Sequence, residues 1–201
     1  MKFAYERFKK LVNDTSNVNV LYDYHINKVN MPIDLSDLLR WQWVQCISAF
    51  DKFIHDIVRI GILEIFQGNR TATSKFNMFT LDIKTYNKMK SDPLMEINIL
   101  EQRIVLKHSY LAFQDPDKVA DALSYIWDAK DKWGRISEQA DMGKKDCVNF
   151  LRNAVIRRNQ IVHEGDYIDM YSKRQDIYME DVEDIKVFIL KIGKIIFNCI
   201  K

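Results

Sequence analysis

KKDCVNFLRNAVIRRNQIVHEGD, residues 144–166, decides how the chain is read. Val148, Leu151, Val155 and Val162 recur at helical steps and Gly165 follows as a C-cap, so the spacing predicts a helix over about 144–163 with a core-facing stripe. Continued through the next turn, that stripe passes over Arg158, seven residues after Leu151, and Asn159, four after Val155. A helix that only packs would carry aliphatic side chains there. Two polar groups interrupt a buried face, and His163 follows on the last turn.

At about 100° per residue, Asn159 and His163 lie roughly 40° apart, whereas Arg158 and His163 lie roughly 140° apart. Arg158 therefore does not easily share a pocket with the histidine of its own helix. A second copy packed across a two-fold axis brings the arginine of one chain near the histidine of the other. Between Met142 and His163, Lys144, Lys145, Arg152, Arg157 and Arg158 outnumber the one acid, Asp146, so a polyanion is attracted there. On spacing alone, the same residues also read as a surface turn with a helix-terminal histidine that satisfies free carbonyls.

The pattern of Arg158, Asn159 and His163, an arginine and a polar residue followed by histidine after a short spacer, resembles the HEPN superfamily. The wider run RRNQIVHEGD at 157–166, with IWDAKDKWGR at 126–135 before it and DVEDIKVFILKI at 181–192 after it, is most similar to the RiboL-PSP-type HEPN branch. The resemblance covers roughly 38–68 and 126–200, and it is weak across the first thirty residues and 69–93. It implies an all-α, HEPN-like helical bundle with a small irregular lobe, organised as one domain over 1–201 with its core at about 37–68 and 93–200. It also implies a metal-independent endoribonuclease acting on RNA as a homodimer with a composite active site, in bacterial defence or a toxin–antitoxin system. An antitoxin or another defence-system subunit is the further partner, and no cofactor or metal is implied. Other HEPN proteins have lost catalysis, so the alternative is a non-catalytic domain that binds RNA or nucleotide. A plain helical interaction module is the third reading.

RNA supplies its own nucleophile, the 2′-OH, so its cleavage needs a base, an acid and cations at the crowded phosphorus. On the resemblance, His163 moves protons to or from the 2′-OH or the leaving 5′-oxygen, giving a 2′,3′-cyclic phosphate, while Arg158 holds the non-bridging oxygens. Asn159, one turn before His163, fixes the imidazole or the phosphate, and Arg157 is an auxiliary phosphate contact. Glu164 and Asp166 are left unassigned, since carboxylates repel phosphate yet can orient His163 or an arginine.

The longest helix is expected to open after Pro32, with Asp34 or Ser36 as N-cap, and to run to about Phe66 before Gly68. Leu39, Trp43, Cys46, Ile47, Phe50, Phe53, Ile54, Ile57 and Val58 give it a wide apolar stripe. Asp51 lies close to that stripe and needs a partner or water. An acid on an early helix facing the Arg–His motif is a recurrent feature of the resembling family, which makes Asp51 a supporting candidate; pairing with His55 is the structural alternative.

With 201 residues, of which 47% are hydrophobic, the chain can build a substantial core. A net charge of +2 does not signal nucleic acid by itself, so any RNA reading rests on local clustering. Cys46, Cys147 and Cys199 lack metal-ligand spacing and read as reduced core thiols. MKFAYERFKK has no apolar h-region and no uncharged stretch approaches the roughly 20 residues that span a bilayer, so a cytoplasmic protein without membrane contact is expected. No glycine-rich phosphate loop, CxxC, HExxH or GxSxG competes with the motif, and His25, His55 and His108 read as structural.

Elsewhere the patterns predict a packing helix over 2–13 with a polar turn at 13–17, an extended 76–81, and a short helix over 83–90. Asp92-Pro93 starts a helix continuing to Asp115, Asp115-Pro116 starts another, and Lys132-Trp133-Gly134 reads as a turn with Trp133 as a packing anchor. The last helix spans 179–200, with Ile185, Phe188, Ile189, Ile192 and Ile196 inward.

Overall fold

A computed structural model describes residues 1–29 and 33–201, apart from the side chains of 26 and 27, and among these no β-strand occurs. The α-helices are α1 (Lys2–Asp14), α2 (Asn19–Tyr24), α3 (Ser36–Phe66), α4 (Ser74–Asn77), α5 (Ile83–Ser91), α6 (Glu96–His108), α7 (Pro116–Leu123), α8 (Lys132–Gln139), α9 (Lys144–Glu164) and α10 (Met179–Ile200). The fold is an all-α bundle, with α4 and α5 forming the side region expected near 69–91. Among the described residues no helix is long and apolar enough to cross a membrane.

α3, 31 residues long, is the element around which the others are arranged, packing against α1, α10, α9, α6 and α7. All nine apolar residues expected on its stripe are buried. Each such side chain contributes about 1.5–3 kcal/mol by leaving water, which is why a helix this long holds so many neighbours. Gly68, at φ 76°, stops it: the Gly68 amide reaches the Ile65 carbonyl (3.0 Å) and the Asn69 amide the Glu64 carbonyl (2.8 Å). At the other end the N-cap is Leu35, between the two residues expected, with no side-chain cap; Asp34 Oδ1 accepts from the Ser36 amide at 2.8 Å just ahead of it, and Pro32 lies outside the described residues.

α10 keeps its expected bounds and buries the five expected residues. The Asp181 carboxylate accepts from the Tyr178 amide at 2.8 Å and fixes its start. Its Gly193 is required by packing. A Cβ there would stand 2.3 Å from Phe8 Cε1, so α1 approaches α10 more closely than any side chain allows.

Several boundaries differ from the sequence reading. The polar turn at 13–17 is instead a 3-10 turn, Thr15–Val18, leading into α2; the buried Thr15 hydroxyl donates to the Val12 carbonyl (2.7 Å). The stretch 76–81 begins inside α4, which Thr73 caps through the Phe76 amide. α6 ends at His108, not Asp115, because the Asp51 carboxylate on α3 takes the Phe113 amide at 2.5 Å and draws the chain out of the helix. Lys132-Trp133-Gly134 is the first turn of α8, since Asp131 Oδ1 accepts from the Gly134 amide at 2.9 Å. Trp133 is the anchor expected, buried with its ring N–H on the Pro116 carbonyl (2.8 Å).

Gly193→Ala tests the close approach of α1 and α10. Overpacking costs about 1–3 kcal/mol, while alanine returns at most about 1 kcal/mol of helix propensity. A lower denaturation midpoint is expected, and a midpoint at or above that of wild type would show that the two helices are not locked at this distance.

Candidate functional site

α9 ends as its sequence implies, on Gly165 in the left-handed conformation (φ 64°, ψ 22°). The Gln160 carbonyl accepts both the Gly165 amide and, at 3.0 Å, that of Asp166. Cys147, Leu151 and Ala154 are buried, with Val148, Val155 and Ile161 half-buried against the core. Arg158 falls seven residues after Leu151 on this inward flank and is itself half-buried, so it does interrupt the packing stripe. Asn159 does not, because it faces solvent, and Val162, expected inside, is 46% exposed.

The three motif residues are thus divided between two faces. Arg158 Nη1 donates to Asn159 Oδ1 at 3.0 Å, while its Nε is buried with no hydrogen-bond partner. His163 is exposed, and among the described residues its ring makes no hydrogen bond. Asn159 and His163 share the solvent side with Ile156, which is half exposed. Among the described residues no hydrogen bond joins Arg158 to His163.

The two supporting candidates sit elsewhere. The Asp51 side chain is partly exposed; its Oδ1 is 3.7 Å from His55 Nε2 and accepts the Phe113 amide at 2.5 Å. No contact joins it to Arg158 or His163 among the described residues. Arg157 turns inward: Nη2 donates to the Asp176 carbonyl (2.7 Å) and Asp166 Oδ2 (3.3 Å), and its guanidinium lies 5.4 Å over the Trp43 ring.

Asp166, which the sequence offers as a carboxylate able to orient an arginine, and Arg40, which it does not single out, hold this end of α9. Asp166, fully buried, stands at φ 68°, a conformation that aspartate tolerates better than most residues. Its Oδ2 accepts from Arg40 Nε at 2.7 Å, and its Oδ1 from Gln175 Nε2 at 3.3 Å. Arg40, 4% exposed near the start of α3, also donates to Ser36 Oγ (2.5 Å) and the Gln175 carbonyl (2.6 Å). The Trp43 ring N–H on the Ala154 carbonyl (3.0 Å) adds a second tie between α3 and α9. A signal existed: Arg40 lies three residues before Trp43 and seven before Ile47, on the same stripe that drew attention to Asp51.

The basic run of α9 is largely compensated. Lys144 pairs with Asp131 (2.9 Å), Arg152 with Asp117 (3.2 Å) and Arg157 with Asp166, so Lys145 and Arg158 are the cations of the run without a carboxylate partner among the described residues.

Asp166→Asn keeps the left-handed backbone preference while removing the charge. Two guanidiniums then stay desolvated without their anion, so unfolding free energy should fall by about 3–5 kcal/mol in chemical denaturation. Wild-type stability in this variant would mean that the ion pairs do not hold the helix end.

The model of the RiboL-PSP-HEPN family matches residues 6–201, extending over the first helix and the 69–93 region where the sequence likeness was faint. No curated protein and no solved structure gives a significant match. With nearly its whole length covered, and an all-α bundle that ends its ninth helix on the Arg158–His163 segment, the chain belongs to the RiboL-PSP-HEPN family.

Proposed function

We propose that the protein is a metal-independent endoribonuclease that cleaves RNA through attack of the 2′-OH, leaving a 2′,3′-cyclic phosphate. His163 is the acid–base group, Arg158 the cation on the non-bridging oxygens, and Asn159 the residue that orients Arg158. The family supports an RNA-related role. The observation that carries the reading further is the division of the motif. Arg158 lies on the inward flank of α9 with its side chain tied to Asn159, and the His163 ring stands in solvent one turn later. A homodimer joining these helix ends across a two-fold axis supplies each phosphate with the arginine of one copy and the histidine of the other. Half-exposed Ile156 and Val162 give that contact an apolar component. The cellular setting we propose is bacterial defence or a toxin–antitoxin pair, with an antitoxin or defence-system subunit as partner.

A second reading, a non-catalytic domain binding RNA or nucleotide, is favoured by one observation: carboxylates already pair with Lys144, Arg152 and Arg157, so little unpaired positive charge surrounds the motif. Activity separates the two. With labelled RNA in EDTA, His163→Ala should cut at least about a hundredfold more slowly than wild type, the scale of lost acid–base catalysis, with unchanged helicity. An equally active His163→Ala protein would remove the histidine from the mechanism.

The shared site has its own test. Co-refolded Arg158→Ala and His163→Ala chains form mixed dimers in which one of two sites is intact, so about a quarter of wild-type activity should return from two inactive parents. Failure to recover activity, with mixed dimers present, would confine the site to one chain.

A further inference from the structure

With no α9 residue on its wall, a half-open cavity of about 200 Å³ between α3 and α6 is lined by Lys52, His55, Asp56, Arg59, His108 and Ser109. Asp56 is 4% exposed, and three cations converge on it: Arg59 Nη2 at 3.0 Å, Arg7 Nη1 at 3.8 Å, and Lys52 through a hydrogen bond to Oδ1. Arg59 directs its other terminal nitrogen to Glu101 at 3.3 Å, which leaves Nε, and that atom is buried with no partner. His108 is 3% exposed, and its Nε2 is likewise buried with no partner.

The neighbouring His55 differs. Its ring centroid is 6.3 Å from that of His108, but its Nε2 is already engaged, 3.1 Å from the Leu111 carbonyl and 3.7 Å from Asp51. Burial pushes the His108 imidazole down to about 4, so near neutral pH it is an uncharged ring with one N–H to donate. Buried polar atoms are almost always satisfied, and Arg59 and His108, both residues that line this cavity, each carry a buried nitrogen that is not. Next to two cationic side chains, a group that satisfies them is rich in acceptors and negatively charged.

We propose that this cavity binds a phosphate-class oxyanion, held by Arg59 Nε, by the Nε2–H of His108 and by the remaining N–H groups of Lys52. Arg7, Lys52 and Arg59 bring three positive charges against the two carboxylates they contact directly, Asp56 and Glu101. Planar guanidinium and tetrahedral oxyanion are complementary in donors and acceptors. None of these residues belongs to α9, so the site stands whether or not the motif cleaves RNA.

Thermal unfolding of the full chain in inorganic phosphate, against chloride at matched ionic strength, tests the proposal. A ligand that binds only the folded state raises the midpoint, here by at least about 2 °C at saturation, and Arg59→Gln should abolish the rise. Adenosine 5′-monophosphate at equal concentration identifies the source. A larger rise than phosphate points to a nucleotide phosphomonoester, and an equal or smaller one to the free anion. No rise over chloride, or a rise undiminished in Arg59→Gln, overturns the site. Should Arg59→Gln fail to fold, the imidazole nitrogen resonances of wild type decide: phosphate must shift those of His108 more than those of His163, and an unmoved His108 refutes the assignment.

Discussion

The Arg40–Asp166–Arg157 cluster is the interaction on which the placement of the motif depends. Two guanidiniums and a carboxylate leave water together, a loss that Coulomb attraction offsets only when geometry is good and the other polar atoms are satisfied. Here most are. Asp166 receives Arg40, Arg157 and Gln175, Arg40 adds Ser36 and a carbonyl, and Arg157 adds the Asp176 carbonyl and the Trp43 face. An assembly of this kind tolerates one arrangement. It sets where α9 stops relative to the start of α3, and the directions of Arg158 and His163 follow from it.

Much of the bundle was legible because its helices carry one broad apolar face each. The α3 stripe, the α10 bounds and the Gly165 stop follow from a 3.6-residue period with local caps. The misread boundaries share a cause: a side chain from elsewhere, or a local cap, competes with periodicity. Asp51 draws Phe113 out of α6, and Asp131 turns Lys132-Trp133-Gly134 into a helix start. On the motif helix, the apolar repeat alone could not show that Val162 loses its cover.

The candidate site was legible as residues and not as an arrangement. Arg158, Asn159 and His163 are local in sequence, but the partners of Arg157 and Asp166 lie on α3 and in 175–176, and even the stripe that marks Arg40 does not say which carboxylate it meets. Pairing also changes the electrostatics. A run that reads as strongly basic becomes, once Asp117, Asp131 and Asp166 are in place, a surface whose unpaired cations are few. Attraction for a polyanion then depends on individual contacts more than on a diffuse field.

The bond between Arg40 and Asp166 joins residues 126 positions apart in the chain. Contacts of that separation are costly in chain entropy and become favourable only after most of the intervening chain is ordered. The core shares that demand: α10 packs on α1 and α3, and Lys186 reaches Ser16 across 170 positions. The end of α9 is thus held by the same long-range closure that buries the core, and whatever parts α9 from α3 costs Arg158 and His163 their place.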